Sequence, residues 1–376
     1  MTETQVSDTL IDQAAAALSV PRDAPADSFA LHAPLELMAR VGLLPRVASE
    51  ARGAARGRIA VLTEKFRNDA TGAATPTAAV FDSDEDAAMV LKRALRGGDL
   101  MTVDQAASWL TAKTSLPRLQ LLLGDVLVDS LAAAAHAPIA LHLLSRVAAL
   151  PASLLNGPLH EVARQPSWRV RWFRSPPAVG ASNIGSLESR LRALPQLGRP
   201  GSDFIYPLMI QAEQSGAAAA AITASLDDDP RDVARVLARA ATWSMLHDDP
   251  TQAPYGWSHC LTMAQAVMSL ADDPVPRRTA IGVAGTFVVG FRVAHGLVAL
   301  GSLADGAVAN GVGIDIGVDI DIDIDEVITY AALHEDAHLV KYTLACLHAA
   351  ELDPPWQTKY FAAAQHLANW WRNQDS

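Results

Sequence analysis

The chain has 376 residues and a formal net charge of −11 at neutral pH; half of its residues are hydrophobic and 19% are charged. This composition supplies a large core and excludes a mostly disordered chain. The acidic balance argues against a nucleic-acid-binding protein, which normally carries a basic face. Two cysteines, Cys260 and Cys346, are too few for a disulfide scaffold or a cysteine-rich zinc module.

Targeting and membrane signals are weak in the sequence. Residues 1–30 carry scattered acidic side chains and no long apolar segment of the kind found in signal peptides. The longest apolar runs, such as Ala280 to Phe291, are too short to span a bilayer. We therefore expect a cytoplasmic protein with no membrane and no nucleic-acid partner.

Abundant alanine and few β-branched runs predict a mainly α protein. In chain order, the predicted helices cover residues 51–66, 84–95, 103–111, 118–135, 138–150, 186–194, 205–226, 232–247, 260–270, 279–300, 325–350 and 356–372.

Three regions follow from these elements. Residues 1–165 form an N-terminal helical half with an internal repeat, and residues 204–376 form a C-terminal helical half. Residues 166–203 are rich in proline, glycine and serine and are predicted to be a loop or boundary. Within the C-terminal half, Gly313 to Asp325 alternates isoleucine or valine with aspartate, and this period of two predicts a strand with one wet face or a flexible insert.

A histidine-centred segment occurs twice in the N-terminal half. The sequence HAPLEL at 32–37 recurs as HAPIAL at 136–141, and a weaker echo, SHCL, occupies 258–261. The repetition predicts duplicated helical units. The proline two residues after His32 and His136 places each histidine where a helix begins or bends. Duplicated packing with incidental histidines, and a repeated functional histidine, both remain open.

The segment 325–350 carries ionisable side chains on one predicted helix face. At about 100° per residue, His334, His338, Lys341 and His348 fall on one stripe of an otherwise apolar helix. Such a helix is buried, and buried amines and imidazoles need partners. A metal ion, which binds neutral imidazole, is one candidate partner; a stripe that faces water is the alternative.

The same segment contains HEDAH at 334–338, which matches the HExxH pattern of zinc peptidases. In that pattern two histidines one helical turn apart bind zinc, and the glutamate, here Glu335, acts as base. A helix with core and surface histidines is the simpler interpretation. Upstream, Tyr255 and Trp257 precede His259 and are candidates for lining a pocket for a flat substrate, although an ordinary aromatic core explains them equally well.

Taken together, these residues resemble a known family. The sequence HLVK at 338–341 is similar to the His-x-x-Lys signature of questin oxidase-like proteins, and the segments around His32, His136 and His259 look like that family's other histidine positions. The resemblance implies a non-haem iron oxygenase of anthraquinones and related aromatic polyketides. It implies that His32, His136, His259 and His338 are iron ligands, together with Lys341 as a carboxylated lysine.

The sequence thus predicts a helical bundle with duplicated N-terminal units around one buried metal centre. The leading function is an iron-dependent oxygenase that modifies or cleaves an aromatic small molecule with dioxygen. A zinc-dependent hydrolase using HExxH and a non-catalytic helical binding protein are the alternatives. His334 and His295 stay open as replacements for one of the four proposed ligands.

Overall fold

The computed structural model describes residues 8–22, 27–68, 79–147, 150–178, 185–201, 205–271, 275–304 and 322–374. Within these ranges the chain is mainly α: helices are joined by turns and short 3₁₀ segments, and extended pairing is limited to isolated bridges. The prediction of a mainly α bundle is confirmed. No described helix is both long and apolar enough to cross a membrane.

Seventeen α-helices lie in the described part of the chain. They are α1 (Thr9–Leu18), α2 (Ser28–Leu43), α3 (Arg52–Asn68), α4 (Asp84–Gly97), α5 (Leu100–Lys113), α6 (Leu116–Leu127), α7 (His136–Arg146), α8 (Asn156–Arg164), α9 (Leu187–Arg192), α10 (Ile205–Gln214), α11 (Ala217–Ile222), α12 (Pro230–His247), α13 (Ser258–Met268), α14 (Arg277–His295), α15 (Ile324–Leu333), α16 (Ala337–Leu352) and α17 (Gln357–Gln374).

Four helices form the centre of the bundle. α2 packs against α7 and α16, and α13 packs against the same two helices, so the four close into a ring. α13 and α16 are buried on nearly every side, as expected for helices that are apolar around their circumference. Side chains on the inward faces of such a ring can meet at one point.

Both copies of the histidine repeat form central helices. The first copy lies in α2, which begins four residues before His32 and contains Pro34 in its interior. The second copy begins α7 at His136. Because α2 and α7 pack against each other, the repeat places its two histidines on neighbouring helices.

Several predicted boundaries differ from the structure. The predicted helix 118–135 ends at Leu127, and Ala133, Ala134 and Ala135 instead adopt left-handed backbone conformations with φ of 45°, 59° and 59°. The predicted helix 205–226 is divided into α10 and α11 at Gly216, whose φ is 77°. No predicted helix range covers α1, α2 or α8, although the repeat predicted a helical unit around His32.

The single helix predicted over 325–350 is wrong. α15 and α16 are separate, and His334 between them has an extended ψ of 158°. Asp336 caps α16, because its carboxylate accepts hydrogen bonds from the backbone amides of His338 (2.8 Å) and Leu339 (3.1 Å). Aspartate at an N-cap satisfies amides that have no partner within the helix. The predicted stripe of ionisable residues is therefore not continuous.

Arg40 of α2 stabilises the end of α15. Its guanidinium donates hydrogen bonds to the backbone carbonyls of Ala332 (2.7 Å) and His334 (2.6 Å). A buried ion pair with Glu36, 2.6 Å long, holds Arg40 in place. A basic side chain can satisfy the last carbonyls of a helix, which have no partner within it, so Arg40 stabilises the end of α15 where α2 packs nearby.

Most of the predicted strand at Gly313 to Asp325 lies outside the described residues. Its last residues are described and are not extended: Asp323 is the N-cap of α15, with its carboxylate accepting from the amides of Asp325 and Glu326. The division into halves at 1–165 and 204–376 stays a prediction. The region between them contains the short helix α9 and a 3₁₀ turn at Trp172–Arg174.

Candidate metal centre

Four histidine rings, one from each central helix, meet in the core. The ring centroid of His32 lies 4.6 Å from that of His136, 4.4 Å from that of His338 and 6.2 Å from that of His259. The rings of His259 and His338 are 4.9 Å apart. All four side chains are buried. The fold thus brings together the four histidines that the sequence analysis named.

Three of these residues form a group that can hold a metal ion. His32, His136 and His259 each offer a ring nitrogen, and these atoms lie within 4.8 Å of one another. Two nitrogens that each stand about 2.1 Å from one ion are at most about 4.2 Å apart. The upper limit on the three separations is therefore only slightly longer than a shared ion needs, and His338 is not part of this group.

Backbone carbonyls determine the tautomers of two of the rings. Nδ1 of His32 lies 2.5 Å from the carbonyl oxygen of Ser28, and Nδ1 of His259 lies 2.5 Å from that of Tyr255. A carbonyl oxygen only accepts, so Nδ1 carries the proton and Nε2 presents a lone pair. Neither Nε2 has a hydrogen-bond partner among the described residues. Metal-binding histidines show the same arrangement, with the far ring nitrogen held by an acceptor.

Burial keeps the four rings neutral. It lowers the pKa of His32, His136, His259 and His338 below the ordinary value, because a buried ring loses the solvation of its charged form. The positive charge of Lys341 lowers all four values further. Neutral imidazole is the form that binds a metal.

Lys341 lies on α16 one turn after His338 and is only 4% exposed. Burial lowers the pKa of its amine to about 8, although the carboxylates of Asp336 and Glu36 oppose the shift. An amine with this pKa is partly neutral near physiological pH, and a neutral amine is a nucleophile.

The two aromatic candidates lie in different environments. Both belong to a π-helical turn, Ala253–Trp257, that leads into α13; π turns are frequent at functional sites. Tyr255 is 53% exposed, and its ring stands edge-on to His338 at 4.9 Å. Trp257 is fully buried and packs against Phe291 and His295. Tyr255 therefore lies at the outer edge of the histidine cluster, whereas Trp257 contacts the apolar core.

The HEDAH segment lacks the geometry that its pattern requires. His334 lies beyond the end of α15 and packs against Tyr330 and Trp371, so it is not one helical turn from His338 on a common helix. Glu335 is exposed and lies 3.2 Å from Arg58.

His295, a possible replacement ligand, and His348, a residue of the predicted ionisable stripe, have contacts outside the histidine cluster. His295 packs against Trp257. His348, on the same helix as His338, pairs with His142 at a ring distance of 5.9 Å.

A cavity of about 640 Å³ opens at the junction of α15 and α16. Its walls are Tyr330, Leu333, His334, Glu335, Asp336 and Trp371. Asp336 also lies beside the cluster, with Oδ2 3.5 Å from Nδ1 of His338. Cavities of roughly 300–1,000 Å³ commonly hold small molecules. Asp336 therefore both lines this cavity and contacts His338.

The residues that support the cluster were not predicted from the sequence. Asp336 caps α16 and contacts His338, and Glu36 and Arg40 hold the end of α15. Two signals were present in the sequence: an aspartate two residues before His338, and a glutamate and an arginine at i, i+4 spacing. Neither signal shows which distant residues these side chains contact, because those contacts form only in the folded chain.

The fold and the site define an α-helical bundle protein with a buried histidine group able to bind a metal ion. Comparisons with protein-family models, with curated proteins and with solved structures found no match for this chain.

Proposed function

We propose that this protein is a non-haem iron-dependent oxygenase that modifies or cleaves an aromatic small molecule of the polyketide or quinone type. The observation that carries the proposal is the convergence of His32, His136, His259 and His338. Buried nitrogens without hydrogen-bond partners are costly. One ion that satisfies several of them accounts for their position.

The donor set suits the proposed metal. Imidazole binds iron, zinc and copper, and the choice of iron rests on the resemblance to questin oxidase-like proteins. The four rings supply neutral donors from four helices, and the carbonyls of Ser28 and Tyr255 fix the orientation of two of them. When bound, iron supplies the one-electron chemistry that activates dioxygen.

Lys341 adds an oxygen donor under this proposal. Its neutral amine attacks carbon dioxide, a nitrogen–carbon bond forms, and one proton leaves, which gives a carbamate. The low exposure of Lys341 and its lowered pKa support this step, because burial favours the neutral amine. The carbamate also replaces a positive charge beside four imidazoles with a negative one.

The cavity beside Asp336 is the proposed substrate site. Tyr330 and Trp371 give it aromatic walls suited to a flat molecule. Tyr255 is half-exposed and its ring contacts that of His338, so under this proposal it shields the cluster on that side. In this arrangement Asp336 orients His338 on one side and borders the substrate on the other.

Oxygen uptake by iron-loaded protein tests the proposal. We expect hydroxylated anthraquinones or naphthoquinones to stimulate dioxygen consumption by the wild type, and His259→Ala to abolish it. Zinc-loaded protein is the matched control and consumes no oxygen. Tight binding of the same compounds, without turnover by iron-loaded protein, would identify the non-catalytic binding protein instead.

A further inference from the structure

His136 differs from the other clustered histidines in its surroundings. His32 and His259 hold Nδ1 against a carbonyl oxygen, and His338 holds Nδ1 beside Asp336. Neither ring nitrogen of His136 has a hydrogen-bond partner among the described residues, although the side chain is only 2% exposed. One nitrogen belongs to the group of three that can hold a metal. The other lacks the acceptor that metal-binding histidines nearly always have.

A second cavity lies against this ring. Its volume is about 20 Å³, and His136 forms part of its wall together with Leu31, Pro34, Ala133 and Glu161. About 10–15 Å³ is sufficient for a single water molecule. The cavity therefore accommodates one water and is too small for an organic ligand.

The residues with polar side chains in the lining of this cavity are His136, Glu161 and Arg22, and the Arg22 guanidinium donates to the backbone carbonyl of Phe66. An interaction with the backbone of Leu31 raises the pKa of His136 and opposes part of the lowering caused by burial. Glu161 of α8 is 8% exposed, and its Oε1 lies 3.1 Å from Nε of Arg164. An imidazole, a carbonyl and a carboxylate give a water about three hydrogen-bond partners, which is the number typical of buried waters.

We propose that one water molecule occupies this cavity and links the outer nitrogen of His136 to Glu161, which makes Glu161 a positioning residue for His136. The water does for His136 what the carbonyls of Ser28 and Tyr255 do for His32 and His259. The role in metal binding rests on the proposed function, whereas the water site rests on the cavity and its polar groups alone.

A high-resolution crystal structure of the full-length protein, without added metal, tests the water site directly. We expect one density peak within about 2.7–3.2 Å of a ring nitrogen of His136 and of a carboxylate oxygen of Glu161. An empty cavity that takes up xenon under pressure would overturn the proposal, because dry apolar cavities bind xenon.

Binding of Co²⁺, followed by its visible absorption, tests the positioning role. Loss of an outer partner typically weakens metal binding by about 10–100-fold. We expect this loss, with an altered spectrum, in Glu161→Leu and also in Ala30→Leu, which fills the cavity but keeps the carboxylate. Glu161→Gln can still bond to the water, so its affinity should remain within a few-fold of the wild type.

Arg164→Gln is the matched control, because it removes the ion pair and the hydrogen bond to the backbone carbonyl of Arg22 but leaves the Glu161 carboxylate in place. Equal weakening by Arg164→Gln and Glu161→Leu would indicate a general structural effect and contradict the proposal. Tight Co²⁺ binding by both leucine variants would also contradict it while the proposed metal centre stands. Failure of the wild type to bind any metal would instead contradict the proposed function, and the crystallographic test of the water would still decide this inference.

Discussion

The ring of His32 on α2 lies 4.4 Å from the ring of His338 on α16. These residues come from opposite ends of the chain, and both rings are buried. Two charged imidazoliums at this distance would repel each other strongly, and burial keeps both rings uncharged. The contact brings two potential donor groups together at the point where α2 and α16 pack.

Removing the HEDAH side chains outside the cluster should leave the metal in place. Glu335 is exposed and His334 packs against Trp371, so we expect Glu335→Gln and His334→Ala to retain wild-type metal content. Because Glu335 contributes only a surface ion pair with Arg58, its substitution should change the free energy of unfolding by less than about 1 kcal/mol. Metal analysis of the purified variants checks this. Loss of metal in His334→Ala would restore the zinc-peptidase interpretation, in which His334 is a ligand and Glu335 only a base.

Lys341→Met should weaken metal binding at least about tenfold, because it removes a proposed donor and keeps an apolar side chain of similar length. In ¹³C NMR of protein equilibrated with ¹³C-bicarbonate, the wild type should show a carbamate signal that this variant lacks. Lys92→Met, at a partly exposed residue paired with Asp125, is the control and should retain the signal. A wild-type spectrum without any carbamate would contradict the role proposed for Lys341.

Two kinds of site residue could be predicted from the sequence: histidines in a repeated segment, and ionisable side chains in an otherwise apolar segment. His32 and His136 were found through the repeated HAP segment, and His338 and Lys341 through their position in an apolar segment. The break between α15 and α16 was not predicted. Asp336 lies inside a periodic segment, and its role as the cap of α16 becomes clear only in the fold, where Arg40 bonds to the end of the preceding helix.

The extent of α2 was not predicted, although the repeat predicted a helical unit around His32. Its interior contains Pro34 and its buried face contains Glu36 and Arg40, all of which weaken an amphipathic pattern. The ion pair between Glu36 and Arg40 makes their burial possible, and that pairing is a property of the folded chain. Packing therefore overrides local propensity in the helix that carries His32.

His142 and His348 should make the protein less stable in acid. Burial lowers the pKa of His142 to about 3 and that of His348 to about 4, and the nearby Arg146 lowers both further. In the unfolded chain both titrate near 6.5, so the unfolded state gains protons first as the pH falls. The contribution that these two neutral histidines make to the free energy of unfolding is therefore complete above about pH 6.5. It is lost progressively as the pH falls towards 4.

The free energy of unfolding should fall by about 2 kcal/mol for each of these histidines at pH 5, since one pKa unit corresponds to about 1.4 kcal/mol. We expect His142→Leu to reduce the slope of unfolding free energy against pH by about 1.4 kcal/mol per pH unit between pH 5 and 6. Urea denaturation over this range measures the slope. An unchanged slope would show that His142 is not held neutral in the folded protein.

The left-handed alanines before His136 should be sites of backbone strain. A non-glycine residue in this conformation costs about 1–2 kcal/mol, and loss of a buried methyl group costs about 0.8 kcal/mol. Ala135, at φ 59°, should therefore become slightly more stable as glycine. Ala137→Gly within α7 is the control and should destabilise by about 1 kcal/mol or more. Chemical denaturation measures the free energy of unfolding of both variants and of the wild type. An Ala135→Gly variant that is less stable than the wild type would contradict the prediction.

Metal binding by the histidine cluster is the central claim, and anaerobic equilibrium dialysis against Fe²⁺ tests it most directly. We expect about one tightly bound iron per wild-type chain, and loss of that iron in His136→Ala and in His259→Ala. His366→Ala on α17, which alters a histidine outside the cluster, should bind like the wild type. A folded wild-type protein that binds no iron, or cluster variants that bind it as tightly as the wild type, would contradict the account.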